Sequence, residues 1–251
     1  LIMNTVIEQW ADYESTFRAA IDSGEPLARS EVRLRAPCPQ PTSIICMAAN
    51  YMELGTLKEK PPKAAFIKSS YSVIGDGDVM ELPDVPASIF EGEAEIALVI
   101  GKRATKVSVE DAMDYVFGFT ILYDISDRAA QIPIDGRYAR DWYAGKSMDD
   151  SAPMGPYIVP LEFMPNYGNV RVTTRVNGEI MQDSDTSYLI HDVERVLRFA
   201  TRTMTLWPGD VIATGTPSGV GNGRTPQVFL RPGDTVEIEV EGIGTLVTPI
   251  E

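Results

Sequence analysis

The amino-acid sequence predicts a mixed, mainly β (α+β) fold with few helices, and three observations predict it. From Thr42 onward, short β-type runs rich in Ile, Val and Ala recur, bounded by Gly and Pro. Asn177-Gly178 separates an alternating run, Val170 to Val176, from Ile180, the pattern of a two-residue hairpin. Only three stretches carry helical spacing.

In chain order, Val6, Trp10, Tyr13, Phe17 and Ile21 recur every three or four residues, predicting one opening helix that Gly24-Glu25-Pro26 ends. Three prolines between Arg33 and Pro41 make that segment a connector. Residues 1–41 are therefore expected to form a small N-terminal helical and connector element, and 42–251 the main domain. Strands are expected at Ser43–Met47, Ala64–Ile67, Ile96–Ile100, Thr120–Tyr123, Val211–Ala213 and Val236–Val240. Ser108 is placed to cap a helix over Val109–Phe117, with Glu110 and Asp111 at its positive end. The third helix is expected from about Tyr188 to Thr203, with Leu189, Val193, Val196, Leu197 and Ala200 on one face. His191 lies off that stripe and reads as a partly solvated surface histidine.

Composition narrows the function. The 251 residues hold 22 Lys+Arg against 36 Asp+Glu, a net charge of −14. Such a surface repels nucleic-acid phosphates and anionic membranes. His191 is the one histidine, so a zinc site built on several histidines is excluded and a Ser-His-Asp hydrolase would rest on it alone. Cys38 and Cys46 form no C-x-x-C pair, and so low a count suits a reducing compartment. With no secretory leader pattern and no long apolar run, a soluble cytoplasmic protein is expected.

Chemistry concentrates at Glu91-Gly92-Glu93-Ala94-Glu95, which runs into the apolar strand Ile96–Ile100. Residues two apart on a strand share a face, so Glu93 and Glu95 project together. By itself the pair is either a solvated acidic turn or a site for a cation that neutralises two crowded carboxylates. Asp124, at the end of Phe119–Tyr123, adds a third carboxylate and favours a hard cation, Mg²⁺ or less tightly Mn²⁺ or Ca²⁺. Arg128, Gln131 and Lys146 follow as positive and polar groups for a small anionic substrate. The loop Thr214 to Gly221 lacks the Gly-Lys-Ser/Thr ending of a phosphate loop. Its backbone N–H groups, Gly215 included, and the Thr216 hydroxyl suit a carboxylate instead.

Together these motifs resemble the fumarylacetoacetate hydrolase family. The resemblance runs from about Ile44 to the C-terminus, through Asn50-Tyr51, Phe66-Ile67-Lys68, Glu93 to Lys102, Tyr123 to Arg128 with Gln131, and Lys146 to Asp149. It continues through Pro153 to Pro156, Asn177 to Glu179 with Gln182, Pro208 to Ile212, and the Thr-Gly-Thr-Pro loop with Gly219-Val220-Gly221. The resemblance implies a β-roll catalytic domain, a homodimer, and one Mg²⁺ or Mn²⁺ (Ca²⁺ as a stand-in in a crystal) on Glu93, Glu95 and Asp124. It also implies Lys146 as the lysine stabilising substrate charge, with Tyr51, Gln131, Gly215 and Thr216 contacting substrate. Arg128 fits substrate binding or a structural ion pair equally.

The implied substrates are 2-oxo acids and β-dicarbonyls of aromatic or sugar-acid catabolism, and the implied reaction is Mg²⁺-dependent C–C hydrolysis of an acylpyruvate-type acid. One departure matters. Where many relatives follow Asn-Tyr with a water-activating His-x-x-Glu pair, this chain has Leu54 and Leu57. Glu53 or Glu59 is then the candidate base, and isomerase, decarboxylase or hydratase chemistry gains over hydrolysis. A non-catalytic metal- or ligand-binding relative is the remaining alternative. Gly92 stands where a bulkier residue is common, which is expected to alter the pocket.

Overall fold

The protein is described from a computed structural model; residues 2–52, 58–84, 89–131 and 140–251 are described. Helices are α1 (Ile2–Glu8), α2 (Trp10–Ser23), α3 (Trp142–Lys146) and α4 (Val193–Thr201). Strands are β1 (Ile44–Ala48), β2 (Ala64–Lys68), β3 (Val73–Ile74), β4 (Phe90–Ile100), β5 (Val116–Asp127) and β6 (Ala152–Pro160). They continue with β7 (Arg171–Val176), β8 (Glu179–Asp185), β9 (Val211–Ala213), β10 (Thr235–Val240) and β11 (Gly244–Pro249). The fold is mainly β, as the sequence predicts. A seven-stranded mixed sheet runs β2-β1-β9-β4-β5-β6-β3, and a four-stranded antiparallel sheet runs β11-β10-β7-β8.

The centre is the long β4–β5 pair, antiparallel from Phe90↔Asp127 to Ile100↔Val116. Its continuous apolar run follows from burial on both faces. Ile96, Leu98 and Ile100 enter a core shared with Val172, Ile238 and Leu246 of the smaller sheet. Ala97 and Val99 enter a second core with Cys46, Leu122, Ala213 and Ile7 of α1. The β7–β8 hairpin turns at Asn177 and Gly178, both at positive φ (51° and 82°), as a type I′ turn requires.

Three helix expectations are corrected. The opening helix is two helices, interrupted at Gln9, and Phe17 and Ile21 of its apolar stripe are exposed. Ser108 does cap, accepting the Asp111 N–H at 3.1 Å, but only a 3₁₀ turn over Ala112–Tyr115 follows. Val116 and Phe117 join β5 instead, where Val116 pairs with Ile100 of β4 and is buried. The third helix starts at Val193, where the Asp192 carboxylate accepts the Arg195 N–H at 2.9 Å. His191 therefore precedes the helix and is half-buried. Both cysteines are free and buried. Among the described residues, no helix is long and apolar enough to cross a membrane.

Candidate active site

Glu93 lies directly opposite Asp124 across the β4–β5 ladder. Opposed residues share a face, as do alternate ones, so Glu91, Glu93, Glu95 and Asp124 project together. Ligand oxygens of Glu93, Glu95 and Asp124 all lie within 4.8 Å of one another. An ion holding oxygens at about 2.0–2.6 Å spans roughly 4–5 Å between opposite ligands, so the three can reach one centre.

Three buried or half-buried cations hold the carboxylates. The Lys146 ammonium donates to Glu93 Oε2 and Asp124 Oδ2, both at 2.6 Å. Lys68, fully buried, reaches Asp124 Oδ1 at 2.9 Å and donates to the carbonyls of Lys146 (2.5 Å) and Ile125 (3.1 Å) and to Ser151 Oγ (3.1 Å). Arg128 pairs with both Glu91 and Glu93. Of its two expected roles, Arg128 fills the structural ion pair while still lining the cavity. Glu91 also accepts the Asn222 N–H at 2.6 Å.

Among the described residues, these four carboxylates thus face three cations, and Glu95 forms no ion pair with any of them. Its oxygen accepts the Gly215 N–H at 2.5 Å. Burial, reinforced by the charges of Asp124 and Glu93, holds its carboxyl well above the usual range. Burial would also raise Asp124, but Lys146 and Lys68 outweigh it and leave Asp124 below the ordinary value. Burial disfavours the Lys146 ammonium, yet Asp124 and Glu93 more than offset that and keep it protonated.

Local backbone features put these groups in place. Gly145 lets α3 approach the end of β5, since a Cβ there would lie 2.7 Å from Gln131 Cβ and 3.0 Å from the Asp127 carbonyl. Lys146 follows immediately. Gly215 has φ +103°, and a Cβ would meet Asn50 Cβ at 2.9 Å. Asn50 ties this loop down by donating to the Thr214 carbonyl at 2.8 Å.

The carboxylates border a cavity of about 380 Å³, lined by Phe66, Arg128, Arg140, Trp142, Lys146 and Thr216 among others. The Phe66 and Trp142 rings stack with centroids 4.6 Å apart and form one wall. Gln131 is buried, and its carbonyl oxygen accepts from Arg128 at 3.2 Å and Arg140 at 3.1 Å. Its Nε2 is buried and has no acceptor among the described residues.

Other expected residues sit differently. The Gly215 N–H is committed to Glu95, and the Thr216 hydroxyl donates to the Ala94 carbonyl at 2.9 Å. Both donors are engaged within the protein, and Thr216 lines the cavity. Tyr51 is buried beside its bridge to Leu189 and does not line the cavity. Glu59 is exposed and does not line it either, and Glu53, Leu54 and Leu57 lie outside the described residues. Gly92 faces the opposite side of β4, where a Cβ would lie 1.9 Å from the Tyr123 ring. It shapes the packing of Tyr123, not the cavity, which corrects the expectation. Sequence reasoning assigned no role to Lys68, Glu91, Arg140, Phe66 or Trp142. The alternation Glu91-x-Glu93-x-Glu95 was the available signal for Glu91.

Residues 43–251 match the family model described as fumarylacetoacetate (FAA) hydrolase C-terminal. The oxaloacetate tautomerase YisK of Bacillus subtilis (strain 168) is 41% identical over 227 residues, 88% of this chain and 74% of that protein. A 5-carboxymethyl-2-hydroxymuconate delta-isomerase from Mycobacterium smegmatis superposes with a TM-score of 0.78 at 35% identity, covering 91% of this chain and 85% of that one. A maleylpyruvate hydrolase from Sphingobium sp. SYK-6, solved with manganese (II) and pyruvate, superposes at 0.84 with 29% identity, covering 99% and 84%.

Proposed function

This chain belongs to the fumarylacetoacetate hydrolase family and is an enzyme, and on that premise we propose that it is a Mg²⁺-dependent tautomerase of a small 2-oxo acid, oxaloacetate being the first candidate. The observation that carries the reading is the carboxylate triad, in which Glu95 has no ion-pair partner among the described residues. Glu93, Glu95 and Asp124 offer an all-oxygen donor set that would hold a divalent ion, and that ion would supply Glu95 with a countercharge. When bound, such an ion supplies Lewis-acid polarisation of a 2-oxo acid's carboxylate and keto oxygens.

The remaining work falls to side chains. The Lys146 ammonium has three donors; two are on Glu93 and Asp124, and the third is available to a substrate oxygen in the cavity it lines. It places fixed positive charge where an enolate develops, on a side chain only 1% exposed. Lys68 holds Asp124 and the Lys146 carbonyl, so ligand and ammonium keep one geometry. Gln131 Nε2 offers a further donor. Phe66 and Trp142 exclude water from one side.

Tautomerisation is favoured over cleavage because it moves a proton without splitting water. Among the described residues lining the cavity there is no histidine, and Glu93 and Glu95 are the acidic ones, both taken as ligands. Likeness to a maleylpyruvate hydrolase supports C–C hydrolysis as the second reading, with Glu53 as the remaining candidate base. Decay of the oxaloacetate enol band tests the proposal. Acceleration by protein with Mg²⁺, lost in EDTA and reduced at least tenfold in Lys146→Met, is expected; enol decay at the uncatalysed rate refutes it. Release of two fragments from an acylpyruvate would favour hydrolysis. A homodimer is proposed as well, and sedimentation at 27.6 kDa would refute it.

A further inference from the structure

We propose that Arg140 is the specificity-determining residue of the cavity and selects 2-oxo acids that carry a second, distal carboxylate. The inference rests on the functional reading above for the 2-oxo acid end of the substrate.

Among the described residues three cations line the cavity, and two are neutralised by protein carboxylates: Arg128 by Glu91 and Glu93, Lys146 by Glu93 and Asp124. Arg140 has no carboxylate partner among the described residues. Its Nη1 donates to the neutral carbonyl oxygen of Gln131 at 3.1 Å, and its guanidinium carbon lies 5.7 Å from the centre of the Trp142 ring. Among the described residues most of its five N–H donors have no acceptor, and they lie in the planar fork that matches a carboxylate.

Its surroundings favour an anion. Arg128 donates to the same Gln131 oxygen at 3.2 Å, so two guanidinium groups converge on one uncharged acceptor. Like charges brought together in this way are relieved by a negative group arriving between or beside them. The two donors also fix the Gln131 amide, so its buried Nε2 is a donor that still lacks an acceptor. The stack on Trp142 holds the Arg140 side chain, which lowers the entropy lost on binding.

Position assigns the end of the substrate. Glu95 and Lys146 form a buried floor at 2% and 1% exposure, whereas Arg140 is an exposed residue at the rim. A 2-oxo acid engaged at the floor therefore presents its far end toward Arg140. In a chain of net charge −14, an arginine at this mouth with no carboxylate partner among the described residues also counters the repulsion a dianion meets on approach.

The test uses two pairs of acids that differ only in a terminal carboxylate for a methyl group: 2-oxoglutarate against 2-oxopentanoate, and oxaloacetate against 2-oxobutyrate. Dissociation constants are measured by calorimetry, or by competition for oxaloacetate, on the full chain with Mg²⁺. Wild type is expected to prefer the dicarboxylate in at least one pair by roughly ten- to hundredfold, the range for a charge-assisted hydrogen bond. Arg140→Gln should bring that preference below about threefold by weakening the dicarboxylate alone, and Arg140→Lys should fall between. Equal weakening of both acids in Arg140→Gln, or no preference in wild type, overturns the inference while leaving the functional reading intact. Failure of wild type to bind any of the four acids overturns both. Because Arg140 is exposed, unchanged melting temperatures check that the variants are folded.

Discussion

Substituting Glu95 by glutamine should stabilise the metal-free protein, and an added divalent cation should narrow or reverse that effect. The carboxyl group is 2% exposed, lies near Glu93 and Asp124, and among the described residues has the Gly215 N–H as its hydrogen-bond partner. In EDTA, an amide removes a group whose ionised form burial and the two neighbouring carboxylates penalise, while keeping the shape and the Gly215 hydrogen bond. Its new N–H group faces the two neighbouring carboxylates. Replacing poorly compensated buried charge is worth about 1–4 kcal/mol. At about 2–4 °C per kcal/mol for a chain of this size, Glu95→Gln should melt roughly 2–16 °C higher than wild type. With Mg²⁺ at a hundred times its dissociation constant, wild type gains about 2.7 kcal/mol and the variant, lacking one ligand, gains almost nothing. The order of the two melting temperatures then narrows or inverts. Differential scanning calorimetry in EDTA and in Mg²⁺ measures both differences. A variant less stable than wild type in EDTA, or one that Mg²⁺ raises as much as wild type, would refute the reasoning.

Three further outcomes follow from the same geometry. Lys68→Met strands Asp124 Oδ1 and two carbonyls in a dry core, so it should cost about 3–5 kcal/mol, or roughly 6–20 °C, in calorimetry; a shift under 2 °C would contradict the buried network. Gly145→Ala should push α3 off Gln131, costing about 1–3 kcal/mol and lowering Lys146-dependent turnover; wild-type melting and rate together would contradict the packing argument. Burial, helped by Lys63, places the His191 imidazole below its ordinary 6.5. Its contribution to stability is therefore full above that value and is lost as pH falls through the lower folded value. The single histidine gives one imidazole signal, and proton NMR should show a midpoint below 6.5; a midpoint above it would contradict the burial described.

The parts of this molecule that were legible in the sequence are those whose information is local. Ile96–Ile100 reads as a strand because every residue is apolar, and Asn177-Gly178 reads as a turn because its positive φ values demand such residues. The Glu91-x-Glu93-x-Glu95 alternation likewise encodes one shared face. Where tertiary pairing competes with local signals, the sequence misleads. Ser108 caps as its chemistry dictates, yet Val116 and Phe117 leave for β5. At the site, the cations come from places that no spacing links. Lys68 ends β2, Arg128 follows β5, Arg140 precedes α3 and Lys146 ends it. Only the pairing of β1 with β2 and β9, and of β9 with β4, brings Lys68 to Asp124. Arg140 was illegible for a further reason: an arginine in Arg140-Asp141-Trp142 looks like any exposed charge until the cavity is seen.

Electron paramagnetic resonance of Mn²⁺ titrated into the metal-stripped protein tests the central claim most directly, because it reads the ion and its ligands without requiring turnover. The account predicts one saturable ion per chain, a spectrum that changes when pyruvate is added, and loss of that binding in Asp124→Asn. Absence of saturable binding in wild type, or binding that survives unchanged in Asp124→Asn, would contradict it.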